Sequence, residues 1–276
     1  MLSKRLFTFV AGSQDTKDAS KSKSPTKAQV DAYIPAVYKE EENAYFGQWL
    51  ATSVSSDERP LSQQVVFGDR PFQIMSPKMH GCTALILVSK RAVWMTHLWE
   101  SYSNGKEDYL DKKTGKWGKR NPTGPGDPAF NQRVLMFLRG QTVTNPLPNG
   151  YKDYQKPKGP GIDASLFNDG RSDSTTLYIY TPLWDPYHLK YEERYGSTCE
   201  VVQTITDILG GERPHVVVTP YMPLDTDDPV QEAQLGENGR GAALFQYDPS
   251  SDGKGRKQWR IFMETRGFIT GNVRVR

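Results

Sequence analysis

The chain has 276 residues, of which 36% are hydrophobic and 11% aromatic, and its 35 basic and 32 acidic side chains leave a net charge of +3. This composition supports a folded core and excludes a disordered protein, and the small net charge lacks the sustained basic excess of a dedicated nucleic-acid binder. With only two cysteines, Cys82 and Cys199, neither a disulfide framework nor a structural zinc site built on Cys-x-x-Cys pairs is expected.

The first thirty residues predict a tail that precedes the fold. Residues 12–27 carry small and charged side chains and no large apolar one, so burial cannot offset the entropy lost on ordering. Lys4 and Arg5 precede the short apolar stretch Leu6–Gly12, which leaves secretion open, although we expect a cytoplasmic protein. The longest apolar run, Ala84–Val88, is far below the roughly 18 residues of a membrane helix, so no membrane partner is expected. We predict a tail over 1–30, disordered or targeting, and one domain over 31–276.

Short strands are predicted from Gln63 onward. Runs of β-branched and aromatic residues, separated by Gly, Pro and Ser, cover Val65–Phe67, Phe72–Met75, Thr83–Val88 and Ala92–Trp99. The run Ala84–Val88 lacks polar alternation, which predicts a strand buried on both faces at the centre of a sheet. The polar, basic segment 101–126 that follows is expected to be a flexible loop inserted in the domain.

Two helices and four further strands complete the predicted elements. Asp127 followed by Pro128 is typical of a helix start, and apolar residues recur at helical spacing up to Arg139. A capping box at Ser197–Glu200 introduces a second helix that ends at Gly210. The pattern predicts an α+β fold with a mixed, largely antiparallel sheet or sandwich core and flanking helices. The further strands are Thr176–Tyr180, His215–Thr219, Ala242–Tyr247 and Trp259–Glu264.

Cys82 and His97 flank the hairpin predicted between Thr83 and Trp99. A loop of two or four residues at its turn would place both side chains on one face of the sheet, opposite or diagonal to each other. Directly opposed Cβ atoms are about 4.5–5.5 Å apart, so a thiol and an imidazole there could share a proton. A neighbouring imidazole lowers the pKa of a thiol from about 8.5 and can later protonate a leaving amine. Gly81 would let a substrate approach the backbone, whose N–H groups are candidates for an oxyanion hole.

The segment Met79–Leu85, with His97 after the next strand, resembles the catalytic core of the cysteine deamidase superfamily. That superfamily includes the cytotoxic necrotizing factor toxins and the bacterial chemotaxis receptor deamidase. Its members carry a Gly- or Ser-preceded Cys at the start of a strand and a His on the following strand, which here match Gly81, Cys82, Thr83 and His97. The string Trp94–Glu100 also resembles fungal proteins related to the superfamily. The resemblance covers residues 72–100, about a tenth of the chain.

The resemblance implies a packed β-sheet flanked by helices and a cysteine hydrolase that converts a glutamine side-chain amide to glutamate through a thioester. It implies Cys82 as nucleophile and His97 as base. By position, Ser76 would supply the hydroxyl that orients the histidine, where the family more often has Thr. The implied partner is a protein substrate that carries a glutamine, and no cofactor or metal is expected.

Other functions stay open at this point. The same pair could run transglutamination or another acyl transfer, with substrate choice set by loops over 101–126 and 223–240. A buried cysteine is also commonly a packing residue. In that case the chain would be a catalytically inactive interaction module whose surface aromatics include Trp94, Trp99 and Trp184.

Two further groups of residues are candidates for a nucleophile or a metal site. Cys199 lies near the start of a predicted helix, where the helix dipole could lower a thiol pKa, with His188 and His215 as candidate partners. No spacing brings either histidine to Cys199, so a packing residue is the preferred interpretation. The acidic residues at 225–228 lack the spacing of a calcium-binding loop, so a solvated turn is the preferred interpretation.

Overall fold

The computed structural model describes residues 32–37, 47–49, 57–104, 107–111, 113–120, 126–147, 151–168, 175–237, 239–264 and 267–273. The described residues form two compact units, drawn from 1–49, 66–80 and 223–276 in the first and from 50–65 and 81–222 in the second. The single domain predicted over 31–276 stays a prediction, and the tail predicted over 1–30 lies outside the described residues.

The described elements mix strands with short helices, which confirms the predicted α+β fold. In chain order the strands are β1 Gly47–Trp49, β2 Leu61–Val66, β3 Phe72–Ser76, β4 Thr83–Val88, β5 Ala92–Leu98, β6 Glu107–Asp111, β7 Lys116–Arg120, β8 Thr176–Asp185, β9 His188–Leu189, β10 His215–Tyr221, β11 Ala243–Asp248, β12 Gln258–Met263 and β13 Gly267–Asn272. The helices are α1 over residues 32–37, α2 Glu100–Ser103, α3 Pro128–Phe130, α4 Met136–Leu138, α5 Glu192–Tyr195, α6 Glu200–Ile208 and α7 Pro229–Glu237. A π-helical turn, Asn131–Leu135, joins α3 to α4, and a 3-10 turn covers Ala164–Leu166.

The first unit contains a five-stranded sheet in the order β1-β3-β11-β12-β13, antiparallel except for the pair β1–β3. Helix α1 contributes to an apolar cluster with this sheet through Tyr33, Ile34 and Val37. Its Tyr33 hydroxyl also accepts a hydrogen bond from the buried Arg260 guanidinium at 2.8 Å. The helix is therefore held by both apolar packing and a buried polar contact.

The second unit contains the sheet that carries Cys82 and His97. Its strand order is β10-β8-β4-β5-β2, with β9 paired to β8. The pair β10–β8 is parallel, whereas β4 is antiparallel to both β8 and β5. All six residues of β4 and all seven of β5 are buried. The central, doubly covered strand predicted from the apolar run Ala84–Val88 is confirmed.

The helices of the second unit share an apolar cluster with its sheet. The segment α3–α4 contributes residues at helical spacing, and α6 contributes one apolar face. Fully burying each large apolar side chain stabilises the fold by about 1.5–3 kcal/mol. The helical members are Phe130, Val134, Phe137, Leu138, Val201, Val202 and Ile205, and they join Leu85, Trp94 and Ile179 of the strands.

Three local predictions are wrong. The segment 101–126 is not a loop throughout, because β6 and β7 within it pair as antiparallel strands. The expected loop over 223–240 contains α7, which begins with Asp228 accepting from the backbone N–H of Val230 at 2.9 Å. The capping box at Ser197–Glu200 does not form, since the N-cap of α6 is Cys199.

None of the helices in the described ranges has both the length and the apolar composition that crossing a bilayer requires.

Replacing Asp127 tests how far the second unit depends on one buried carboxylate. Asp127 accepts from the backbone N–H of Ala129 at 2.8 Å and lies 3.7 Å from the Arg194 guanidinium, with both charged side chains fully buried. We expect Asp127→Ala to lower the free energy of unfolding by about 3–5 kcal/mol, because a buried cation loses its carboxylate. Urea denaturation measures the change.

The matched control is Asp163→Ala, which removes the cap of the 3-10 turn at Ala164–Leu166, where the carboxylate is exposed. Loss of such a cap should cost about 1 kcal/mol. An equal decrease in the free energy of unfolding in the two variants would show that the buried ion pair adds nothing beyond the cap.

Candidate active site

The β4–β5 hairpin carries His97 and begins directly after Cys82. The turn has the two-residue loop Lys90–Arg91, closed by Ser89, whose backbone N–H donates to Ala92 O at 3.0 Å. His97 pairs with Ala84 across the hairpin, and Cys82 lies two residues before Ala84. Cys82 comes one residue before β4 begins, so the shared face holds only if the alternation of side chains continues to it, which would make Cys82 and His97 diagonal neighbours.

Both side chains of the pair are buried. Cys82 is 4% exposed and His97 is 2% exposed. The His97 ring stacks on Trp99 with 4.7 Å between ring centroids. The backbone carbonyl of Cys82 accepts a hydrogen bond from the Tyr221 hydroxyl at 2.7 Å. The main chain at Cys82 and the ring of His97 are thus each held by an aromatic side chain.

The surroundings of Cys82 favour the neutral thiol. Burial, the largest effect, raises its pKa from 9.0 to about 12. The backbone N–H of Glu100 hydrogen-bonds the sulfur and lowers the pKa, whereas the carboxylates of Glu100 and Glu58 raise it and the Lys190 ammonium lowers it. The direction is opposite to the lowering expected from the sequence, because desolvation of the thiolate outweighs the groups that stabilise it.

The Glu100 side chain is held by three neighbours close to Cys82. Its Oε1 accepts a hydrogen bond from the Tyr191 hydroxyl at 2.9 Å and forms an ion pair with Lys190 Nζ. Its Oε2 lies where a Cβ atom on Gly81 would be. The missing side chain of Gly81 therefore makes room for the Glu100 carboxylate, a role that differs from the expected approach of a substrate to the backbone.

Glu58 adds a second carboxylate to the environment of Cys82. Its Oε2 lies 2.5 Å from Lys152 Nζ, and its Oε1 accepts from the Ser101 hydroxyl. Its backbone N–H donates to Gln155 Oε1 at 3.0 Å. Sequence analysis missed Glu58, Glu100 and Lys190, because they come from distant segments and no motif links them.

Ser76 lies in the first unit, whereas Cys82 and His97 belong to the second. It is the last residue of β3, pairs with Ala243 of β11, and is fully buried. Its predicted role in orienting His97 stays a prediction.

Cys199, the second candidate nucleophile, is the buried N-cap of α6. Burial raises its pKa to about 11, although the backbone N–H groups of Val202 and Val201 act in the opposite direction. Of its two suggested partners, His188 is exposed and hydrogen-bonds the Asp185 carboxylate at 2.9 Å, and His215 is exposed at the start of β10. The contacts of His188 tie it to its own hairpin.

The acidic residues at 225–228 form the turn that precedes α7. The backbone N–H of Asp227 donates to Asp225 Oδ1 at 3.0 Å, and Asp228 caps the helix. Within the described ranges, no group of three or more His, Cys, Asp or Glu side chains is arranged to hold a metal ion.

Comparison with known proteins yields one structural likeness. No family model and no curated protein matches the chain. Among solved structures, it is similar to the C-terminal domain of CNFy from Yersinia pseudotuberculosis, with a TM-score of 0.29 and 11% sequence identity. The match covers 76% of this chain and 58% of that one. At this TM-score, the site has to be argued from its own geometry.

Stability should fall as the pH rises above about 9, because the folded protein keeps thiol protons that the unfolded chain releases. The thiols concerned are Cys82, with a pKa of about 12, and Cys199, with a pKa of about 11, against 9.0 when unperturbed. Buried tyrosines such as Tyr191 and Tyr195, whose pKa values are also raised, act in the same direction. Each such group lowers the free energy of unfolding by up to about 1.4 kcal/mol per pH unit within its window. Urea denaturation between about pH 8 and pH 10.5 measures the slope.

The Cys82→Ala variant isolates one thiol in this experiment. Its loss of stability with rising pH should be shallower than that of the wild type, since the tyrosines and Cys199 contribute equally to both proteins. Parallel curves would show that the Cys82 pKa is not raised by folding.

Proposed function

We propose that the protein is a cysteine hydrolase that acts on side-chain amides, with protein-bound glutamine as its substrate. The observation that supports the proposal is the hairpin register, which pairs His97 with Ala84, two residues after Cys82. The motif Gly81–Thr83 and its resemblance to the cysteine deamidase superfamily supply the reaction class. Cys82 is the proposed nucleophile and His97 the proposed base.

The raised pKa of Cys82 favours a mechanism that starts from a neutral thiol. His97 would take the thiol proton as the sulfur attacks the carboxamide carbon, and the imidazolium would then give that proton to the departing ammonia. Water, deprotonated by His97, would hydrolyse the thioester, releasing glutamate and restoring the thiol. Each proton removed by His97 is thereby returned within the cycle.

Burial of the sulfur requires a conformational step in this proposal. Cys82 is 4% exposed, so a glutamine side chain reaches the sulfur only when its cover moves. The side chains of Glu100 and Lys190 are partly exposed and lie next to Cys82. Such an opening step would contribute to kcat together with the chemistry.

A second candidate function is an interaction module without catalysis. The burial and raised pKa of Cys82 are also what a packed thiol shows. Of the aromatics considered for a partner surface, Trp94 is fully buried, whereas Trp184 is 69% exposed beside Tyr187, which is 88% exposed. Exposed neighbouring aromatics are typical anchors of protein interfaces.

Replacing each cysteine separates the two candidate functions. We expect Cys82→Ser to abolish ammonia release from a panel of glutamine-containing proteins, because a hydroxyl is a far weaker nucleophile than a thiol. His97→Gln should lower the rate by about 10²–10⁴-fold through loss of the base. Mass spectrometry of the panel would locate each glutamine converted to glutamate.

Cys199→Ser is the matched control and should retain the full rate. Adding a primary amine to the same reactions separates deamidation from transglutamination, which would attach the amine to the glutamine. Ammonia release that persists in Cys82→Ser would contradict Cys82 as the nucleophile. No ammonia release from the wild type on the whole panel would favour the interaction module.

A further inference from the structure

We propose that the tip of the β8–β9 hairpin, with the exposed rings of Trp184 and Tyr187, binds an arginine-bearing segment of the substrate next to its glutamine. The inference rests on the proposed function, because it assigns the part of the substrate that lies beside Cys82. Trp184 is 69% exposed and Tyr187 is 88% exposed. Exposed Trp and Tyr side chains on one short hairpin are suited to contribute most of the binding energy of an interface.

The hairpin leaves the sheet at the end where Cys82 lies. Strands β4 and β8 are antiparallel, and the hydroxyl oxygens of Thr83 and Thr181 are 3.0 Å apart. Cys82 comes directly before Thr83, whereas β8 continues past Thr181 as far as Asp185. Because the two strands run in opposite directions, the residues after Thr181 lie at the same end of the sheet as Cys82.

A series of side-chain contacts joins the hairpin to the residue before Cys82. Lys190 Nζ lies 5.9 Å from the centroid of the Trp184 ring and forms an ion pair with Glu100. The Glu100 carboxylate in turn occupies the space beside Gly81. An extended chain covers about 3.3 Å per residue, so a substrate segment within about four residues of the glutamine would reach Trp184.

The backbone of the hairpin holds the two rings in a fixed turn. Trp184 is the extra residue of a β-bulge, since the register of β8 with β9 shifts between Leu183 and Asp185. A bulge redirects a side chain and is common next to active sites. The Asp185 carboxylate accepts from the backbone N–H of Tyr187 at 2.8 Å and from that of His188 at 3.1 Å. A turn that is ordered before a partner binds lowers the entropic cost of binding.

The charges around the two rings favour a cationic partner. Asp185 lies on the hairpin, and Glu192 and Glu193 begin the helix α5 that follows it. All three carboxylates are exposed or half-buried. An arginine guanidinium stacks on aromatic rings and pairs with carboxylates, so it fits both features of this surface.

The cations of the same stretch do not cancel this charge. The Lys190 ammonium is paired with Glu100, and the Arg194 side chain is fully buried. The His188 ring is held against the Asp185 carboxylate and adds a positive charge only when it is protonated. The two glutamates of α5 therefore leave the surface negative at neutral pH.

The experiment measures the binding of short synthetic peptides that carry one glutamine and differ only in the residues beside it, which are arginine, leucine or glutamate. The protein is Cys82→Ser, so that no peptide is converted, and the backbone amide of Leu189 is followed by NMR titration. We expect the arginine peptide to bind at least about tenfold more tightly than the other two, since it alone pairs a cation with the rings and carboxylates.

Variants of the hairpin locate the binding surface. Trp184→Ala and Tyr187→Ala, each added to the same protein, should weaken the arginine peptide about tenfold through loss of a ring that contacts the cation. Tyr187→Phe keeps the ring and should retain the affinity. Val230→Ala is the matched control, because it removes an exposed apolar side chain, 72% exposed, from α7 in the first unit. With Cys82 restored, Trp184→Ala should also lower the ratio of kcat/KM for the arginine peptide to that for the glutamate peptide.

Three outcomes would overturn the inference. The first is that the arginine peptide does not bind, and the second is that Trp184→Ala and Tyr187→Ala leave its affinity unchanged. The third is equal binding of the leucine peptide, which would assign the hairpin to an apolar partner such as a second copy of the chain. The proposed function fails separately, if the wild type releases no ammonia, and that result does not alter the binding measurement.

Discussion

The two-residue turn of the β4–β5 hairpin is the constraint on which the candidate site depends. The Ser89 hydroxyl accepts from the backbone N–H of Arg91 and Ala92 at 3.0 and 3.1 Å and donates to Leu166 O at 2.8 Å. This closes the turn and aligns the strands up to the pair of Thr83 with Leu98. A slip of one residue would reverse the face of every side chain in a fully buried strand, so the alternatives are strongly disfavoured. The position of His97 relative to the start of β4 therefore depends on the turn at the other end of the hairpin.

Two buried arginines hold the other part of the site in place. Helix α2 has four residues, and so short a helix is not stable by itself. The Arg133 guanidinium donates to Tyr102 O at 2.8 Å, and that of Arg194 donates to Asn104 O at 2.7 Å. These bonds satisfy carbonyls at the end of the helix. The position of Glu100 next to the thiol thus depends on cations from two other helical segments.

The sequence predicts the elements that follow one strong local pattern, and little that depends on contacts between distant segments. The strand Thr83–Val88 has the predicted bounds, and the two-residue turn is one of the loop lengths for which the sequence predicts a shared face for Cys82 and His97. The partners of Glu100 could not be predicted, because Lys190 lies ninety positions away and its pairing needs the tertiary fold. The pKa of Cys82 was predicted in the wrong direction for the same reason, since burial is a property of the whole unit.

The electrostatics of the thiol bear directly on how the proposed chemistry would be controlled. A neutral, buried sulfur reacts slowly with oxidants and alkylating agents, because the thiolate is the reactive form. Glu100 has two opposite effects on the pKa of Cys82: its backbone N–H lowers the pKa, and its carboxylate raises it. Since Lys190 is paired with that carboxylate, the balance depends on an ion pair whose side chains are partly exposed. A bound substrate that excludes water from this ion pair would change the balance at the sulfur. In the proposed mechanism, the Cys82 thiol would therefore stay neutral and unreactive until a carboxamide and the proposed base, His97, are both in place.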